Sequence, residues 1–346
     1  MHALKKAPLA LVFVLVLAQG ALSAQEFTLY DNFPGPADGA YGVAGAALPD
    51  GRLAVWNGGD VFVQPYPGID RFQLVASGYA GDPGFIALAP DGHTLALGAG
   101  YGGQVYLFDL NAPVDGQDNP PAATLSHYGG AFLTENLLLL DISAADWMNS
   151  ELHLLDLAAD KAATVRVVSK PAPPEDAKDL VVNKPGYTSD IYVDRGAGRV
   201  YVMDGATGEV RWFTVNALVQ AFEGGATLDW AADGALVGGA GTYYTGGVAG
   251  INAAGRLIID GSFGYMQPGG IQLVDPATGS VVETLDPDGT QGYTSVIYNP
   301  VTDVMTVFVN GVTFASEAPA SLPAAGFAGL VLCGAAIAAA YRRKRG

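Results

Sequence analysis

Short apolar runs separated by tight turns recur along most of the chain. One such pair of runs spans Gly45 to Trp56 around Pro49-Asp50-Gly51, and another spans Phe85 to Leu97 around Pro90-Asp91-Gly92. Further pairs are Ala131–Ile142 around Glu135-Asn136, Ile191–Met203 around Arg195-Gly196, Val248–Ile259 around Ala254-Gly255 and Val296–Phe308 around Pro300-Val301. Asp-Gly between apolar runs predicts a β-hairpin, because both residues accept the positive φ that a tight turn requires. A third run follows most pairs: Val61–Val63, Val105–Phe108, Leu152–Leu155, Val210–Phe213 and Ile271–Val274. A fourth follows in some units, as at Thr164–Val168 and Ser280–Leu285.

Units of about 40–60 residues with four short strands each predict an all-β propeller. Six hairpins predict six blades. Asp233-Gly234 would begin a seventh, but it stands too close to the next turn to hold a blade. Phe27–Tyr30 is a spare strand able to complete the last unit and close the ring. Two stretches interrupt the pattern. Lys170–Lys184, with Pro171, Pro173 and Pro174, reads as an exposed loop, and Asn216–Phe222 reads as a short helix stopped by Gly224-Gly225.

The runs Arg199-Val200-Tyr201-Val202 and Asp204-Gly205-Ala206-Thr207-Gly208 resemble YVTN or NHL-type propeller repeats. So do Val274-Asp275-Pro276-Ala277-Thr278-Gly279 and Tyr298-Asn299-Pro300-Val301-Thr302-Asp303. The resemblance covers most of residues 40–315 and implies a fold rather than an activity.

The two ends read as addresses. Residues 1–24 have the layout of a secretory signal peptide: Lys5 and Lys6, an apolar run from Leu9 to Leu17, and small residues before a cut after Ser23 or Ala24. Residues 25–317 are then the propeller and 318–346 a tail. The uncharged run Leu322–Tyr341 predicts a single transmembrane helix, and Arg342, Arg343, Lys344 and Arg345 predict a cytoplasmic end. The motif at 320–324, with Leu322, Pro323 and Ala324, resembles the PEP-CTERM sorting signal in its Val-Pro-Leu-Pro-Ala variant. That resemblance implies an exosortase-like processing enzyme as partner, and a place on the cell envelope or cell surface.

Charge narrows the partners. Between the two ends stand 11 Lys and Arg against 34 Asp and Glu, a formal charge of −23. Such a surface excludes nucleic acid, whose recognition needs a basic footprint. The single cysteine, Cys333, lies in the tail, so the body contains no disulfide.

Candidate chemistry is sparse. His2 leaves with the signal peptide, and His93, His127 and His153 share no metal-ligand spacing. No Gly-x-Ser-x-Gly elbow occurs. No cofactor is evident. Calcium is the ion the sequence best admits, at Asp286 and Asp288 of Asp286-Pro287-Asp288-Gly289. Gly186-Tyr187-Thr188-Ser189 nearly repeats as Gly292-Tyr293-Thr294-Ser295, and looser versions carry Tyr41, Tyr79, Tyr128 and Tyr244. Each of these six tyrosines precedes a hairpin. As ligand-binding candidates they would ring the channel mouth and stack on a sugar or peptide; as structural residues they would pack between blades. These features together predict an exported binding or structural module of the envelope or exopolysaccharide matrix. The alternative is a calcium-dependent, lactonase-like propeller hydrolase.

Overall fold

The computed structural model describes residues 28–30, 32–38, 40, 42–100, 103–124, 127–143, 149–160, 166–167, 180–185, 190–205, 207–239, 247–261, 270–285, 294–309 and 312–317. The first strand, β1 (Thr28–Tyr30), is set aside until the end of the chain. Sheet I follows as β2 (Ala44–Ala47), β3 (Leu53–Trp56), β4 (Val61–Val63) and β5 (Gln73–Ala76). Sheet II contains β6 (Phe85–Leu88), β7 (Thr94–Gly98), β8 (Gln104–Asp109) and β9 (Ala123–Thr124). Sheet III contains β10 (His127–Phe132), β11 (Leu137–Ser143) and β12 (Asn149–Asp156). Beyond helix α1 (Leu157–Asp160) and β13 (Arg166–Val167), it is completed by β14 (Leu180–Pro185).

Sheet IV is β15 (Tyr192–Asp194), β16 (Arg199–Met203), β17 (Glu209–Thr214) and β19 (Ala235–Gly239). Helix α2 (Val215–Gly224), β18 (Leu228–Asp229) and helix α3 (Trp230–Asp233) lie between its last two strands. Sheet V is β20 (Gly247–Ile251), β21 (Leu257–Gly261), β22 (Gly270–Val274) and β23 (Val281–Leu285). Sheet VI joins β24 (Thr294–Asn299), β25 (Val304–Val309) and β26 (Val312–Glu317) to β1, which pairs antiparallel with β26.

The first strands of successive sheets touch in a closed order, β2, β6, β10, β15, β20, β24 and back to β2. The sheets therefore stand around one axis, with their first strands innermost. Central strands are covered on both faces: all four residues of β3 are buried. The core lies between neighbouring sheets. Trp56 and Val61 of sheet I pack with Leu95, Leu97 and Phe108 of sheet II. Leu139, Leu152 and Leu154 of sheet III pack with Val200, Val202 and Phe213 of sheet IV. Burial of each such side chain contributes roughly 1.5–3 kcal/mol, so the ring is held by its joints.

The turns arise from their own residues. Gly51 and Gly92 sit at φ +83° and +78°, each after an Asp, in the hairpins between first and second strands. Helix α2 is capped by Thr214, whose hydroxyl accepts from Ala217 N at 3.0 Å, and it ends at Gly225 in the left-handed region.

A second device laces the outer edges. The segment between a sheet's third and fourth strands reaches back to the outer strand of the preceding sheet. Asp70 of sheet I accepts from the backbone N–H of Asn32, just past β1, at 3.1 Å. Asp115 accepts from Ser77 N at 2.8 Å, and Gly116 N donates to Ser77 O, tying sheet II to β5. Strand β13 pairs in parallel with β9, and β18 pairs in parallel with β14. Gly279, in the turn before β23, packs so closely on Val237 and Gly238 beside β19 that a Cβ there would overlap the backbone.

This architecture corrects three expectations. The chain does not repeat one four-stranded blade six or seven times. Five sheets are built on successive runs of chain, and two of those five gain a parallel fifth strand from the next run; the remaining sheet is completed by β1, the place expected for the spare strand Phe27–Tyr30. The fourth strand of sheet III is Leu180–Pro185, within the stretch read as a loop; the residues at Thr164–Val168 instead supply β13 to sheet II. No helix among the described residues is long and apolar enough to cross a membrane. The expected transmembrane helix at 322–341 has no counterpart among the described residues, and residues 318–346 lie outside them.

Candidate functional site

Antiparallel strands place the first-to-second hairpins and the third-to-fourth segments at one end of the ring. A cavity opens there among the described residues, between sheets I and II, with a volume of about 300 Å³. Leu48, Val63 and Val75 form its apolar side; Asp50, Arg52 and His93 supply charge and hydrogen-bonding groups. Arg52 donates to Asp50 at 2.6 Å. The His93 ring meets Asp109 Oδ1 through Nδ1 at 3.0 Å, and its Nε2 lies 3.8 Å from Asp91 Oδ2.

Asp91 is bound into its own turn. It accepts from His93 N at 2.9 Å, Thr94 N at 2.8 Å and the Thr94 hydroxyl at 2.6 Å. Burial opposes its charge, but these hydrogen bonds outweigh burial and hold the carboxyl below its usual range. A histidine between two carboxylates can shuttle a proton or hold a polar ligand. The residues lining this cavity include no hydroxyl, thiol or amine to act as nucleophile.

The opposite end of the ring buries polar groups among the strands. His127 begins β10 fully buried, with its ring edge-on to Phe85 at 5.3 Å. Gly98 makes room for this pair: a Cβ there would overlap the Phe85 ring and lie 2.6 Å from His127 Nε2. Asp141 on β11, Ser150 on β12 and Asp204 just past β16 are also buried. A carboxylate within the leucine run Leu137–Ile142 was the available signal for Asp141, and the alternation of that run gives its face.

The tyrosine candidates fare differently from one another. Tyr79 is fully buried, with Tyr106 and Phe108 edge-on at 5.2 and 5.7 Å. Its hydroxyl donates to Val114 O at 2.8 Å and accepts from Asn119 Nδ2 at 2.9 Å. Tyr79 packs between sheets I and II rather than facing a channel mouth. Tyr128 is half-buried on β10. Tyr41, Tyr187, Tyr244 and Tyr293 lie outside the described residues, as do Asp286, Asp288 and the tail residues Leu322, Pro323, Ala324, Arg342, Arg343, Lys344 and Arg345. Among the described residues no three acidic, histidine or cysteine side chains gather as metal ligands.

No family profile matches the chain, and no curated protein matches it. Solved structures do resemble it. A luciferin-regenerating enzyme shares 12% identity with a TM-score of 0.51, over 86% of this chain and 93% of that one. A calcium-binding protein, regucalcin, from Agrobacterium tumefaciens shares 12% identity with a TM-score of 0.50, over 85% and 95%. The Cps50 (Swd1) β-propeller domain of Myceliophteria thermophila shares 12% identity with a TM-score of 0.51, over 84% and 99%. These likenesses establish the fold: the chain is a β-propeller.

Proposed function

We propose that this protein is an exported, surface-anchored bacterial propeller that serves as a binding or structural module of the cell envelope or exopolysaccharide matrix. The observation that carries this reading is the employment of the described carboxylates. Asp91 and Asp109 engage His93, and Asp275 accepts from Ala277 N at 2.9 Å and from Arg256 at 2.5 Å. Asp229 caps α3 by accepting from Ala231 and Ala232 N–H groups. These groups build turns and joints, while the cavity beside His93 offers a mixed polar and apolar surface.

The signal-peptide layout of residues 1–24 supports export. The motif at 320–324 and the basic end at 342–345 support handling by an exosortase-like enzyme, with an envelope protein or glycan as the partner of the ring. Intact mass of the protein recovered from its native envelope tests the reading. A species lacking the first 23 or 24 residues and altered near Leu322–Ala324 is expected. An unprocessed chain ending at Gly346 and recovered from the cytosol would overturn it.

A calcium-dependent, lactonase-like hydrolase is the second reading. The fold it shares with a calcium-binding propeller and the Asp286-Pro287-Asp288 segment favour it. Calcium at millimolar concentration would then raise the melting temperature, and a melting curve indifferent to calcium and to chelator removes this reading.

A further inference from the structure

Two polar side chains in the cavity between sheets I and II are left uncommitted by the fold. Gln73 begins β5 and Asn111 follows β8, so each sheet contributes one. Both residues are exposed, and neither side-chain amide has a hydrogen-bond partner among the described residues. The third amide of the lining is spent on structure. Gln64 is buried; it accepts from Leu53 N at 2.9 Å and donates to Ile69 O at 2.8 Å. The Asn111 backbone N–H is engaged as well, donating to Asp109 Oδ1 at 2.8 Å, which fixes the loop and leaves the side chain to the cavity.

The charged groups of this region are paired among themselves. Arg52 donates to Asp50, and His93 stands between Asp91 and Asp109. One cation against three carboxylates opposes an anionic ligand by like charge. A cationic ligand finds those carboxylates already engaged. The apolar wall lies close to the free amides: Val75, two residues past Gln73 on β5, also lines the cavity and packs into the joint with sheet II. A volume of about 300 Å³ stands at the lower end of small-molecule sites and suits one ring-sized group.

We propose that this cavity binds one neutral hexose unit, with Gln73 and Asn111 holding its hydroxyls and Leu48, Val63 and Val75 against its apolar face. A sugar hydroxyl donates and accepts, and so does a side-chain amide. One amide from each sheet lets the two groups grip different hydroxyls of the same ring. The assignment rests on the reading of the propeller as a glycan-binding module of the envelope or matrix, and it gives that reading a site and a sugar class.

Saturation-transfer NMR on the full chain tests it, with D-glucose, D-galactose, D-mannose and D-glucuronate as probes. At least one neutral hexose is expected to bind with a Kd on the order of 1 mM, the affinity open to so small a ligand. Glucuronate is expected to bind at least ~5-fold more weakly. Gln73→Ala and Asn111→Ala should each weaken the hexose ~2–10-fold, with melting temperatures unchanged because neither side chain holds the fold. Hexose binding unmoved by both variants overturns the site. So does glucuronate binding as tightly as the neutral sugars, or no hexose bound at about 10 mM, whether or not a lysine-rich peptide binds instead. Those failures leave the envelope role standing, because the intact mass decides it separately. Conversely, an unprocessed cytosolic chain that holds hexose through Gln73 and Asn111 would keep the site and lose the envelope role.

Discussion

The Asn299 side chain donates through Nδ2 to the Gly51 carbonyl at 2.6 Å, joining the last sheet of the ring to the first across 248 positions of sequence. The same side chain accepts from Val301 N at 3.1 Å and Thr302 N at 3.3 Å, so one buried amide both builds its own turn and closes the ring. Asn252 makes the corresponding turn in sheet V, accepting from Ala254 N and Arg256 N.

Asn299 should therefore separate turn-building from ring closure. Asn299→Asp keeps the two accepting roles and turns the donor into an acceptor facing Gly51 O. Asn299→Ala loses both. Each is expected to lose about 1–3 kcal/mol, since a buried carbonyl is left unpaired. Asn299→Asp should recover part of its loss at acid pH, where a protonated carboxyl can donate. Urea unfolding at pH 4 and pH 7 measures this, and an Asn299→Asp variant as stable as the parent at pH 7 would sink the closure role.

Arg195 ties three sheets at the same end. From the hairpin of sheet IV its guanidinium donates to Phe132 O at 3.1 Å, and to Leu133 O and Leu88 O at 3.4 Å each. Burial pushes its pKa down, but an arginine keeps its charge at any pH the fold survives. Arg195→Ala should cost about 1.5–3 kcal/mol as hydrogen bonds from a charged donor are lost. Arg195→Lys should recover less than half, because an ammonium cannot span three carbonyls as a planar fork does. Thermal unfolding of both variants checks the order.

Glu151 and His153 lie two apart on β12, with His153 Nε2 2.9 Å from Glu151 Oε2. Their hydrogen bond outweighs burial and holds the Glu151 carboxyl below its ordinary 4.5. A depressed carboxylate stabilises the fold above its unfolded pKa, and that stability is lost as pH falls through the folded value. Glu151→Gln should flatten the acid limb of the stability curve below about pH 4.5 and change little of its slope above. Denaturant midpoints from about pH 2.5 to 7 read this directly. An unchanged acid limb would mean the pair contributes nothing.

Asp303 occupies the left-handed region at φ +55°, where the hairpins of sheets I, II and V use glycine. Its carboxylate accepts from the Tyr298 hydroxyl at 2.7 Å and from Ala253 N at 3.3 Å, binding sheet VI to sheet V. Burial, then this carboxylate, raises the Tyr298 pKa above the ordinary phenol value. Asp303→Gly relieves the backbone by up to ~1 kcal/mol and gives up both bonds. Asp303→Ala gives up the bonds without relief and should be the less stable of the two. Absorbance titration should find Tyr298 ionising at lower pH in either variant; an unmoved tyrosine would contradict the coupling.

The legible parts of this fold were local. Asp50-Gly51 and Asp91-Gly92 announce hairpins because positive φ is a property of two residues and needs no distant partner. Helix α2 was readable for the same reason: Thr214 and Gly225 cap it from within its own sequence. Strand β13 was read as a strand but given to the wrong sheet, and β18 was not read at all. Each is two residues long and pairs in parallel with a sheet to which its neighbours in sequence do not belong. No periodicity appears in the two residues of β18, and none can assign β13 to a sheet that its sequence neighbours do not form. Tyr79 shows the same limit at a candidate site. Its spacing before a hairpin resembles that of five other tyrosines, yet its partners Tyr106, Phe108, Val114 and Asn119 all come from the next sheet.

By itself this sequence determined the set of turns, the alternation of the central strands and the acidity of the body, all set by short-range sterics and by composition. Only the tertiary structure decided which outer edge each linker covers and that Asn299 and Arg195 join distant sheets. Those outcomes depend on which surfaces meet once the sheets pack around an axis. Packing of that kind is a property of the whole ring, and no window of the chain contains it.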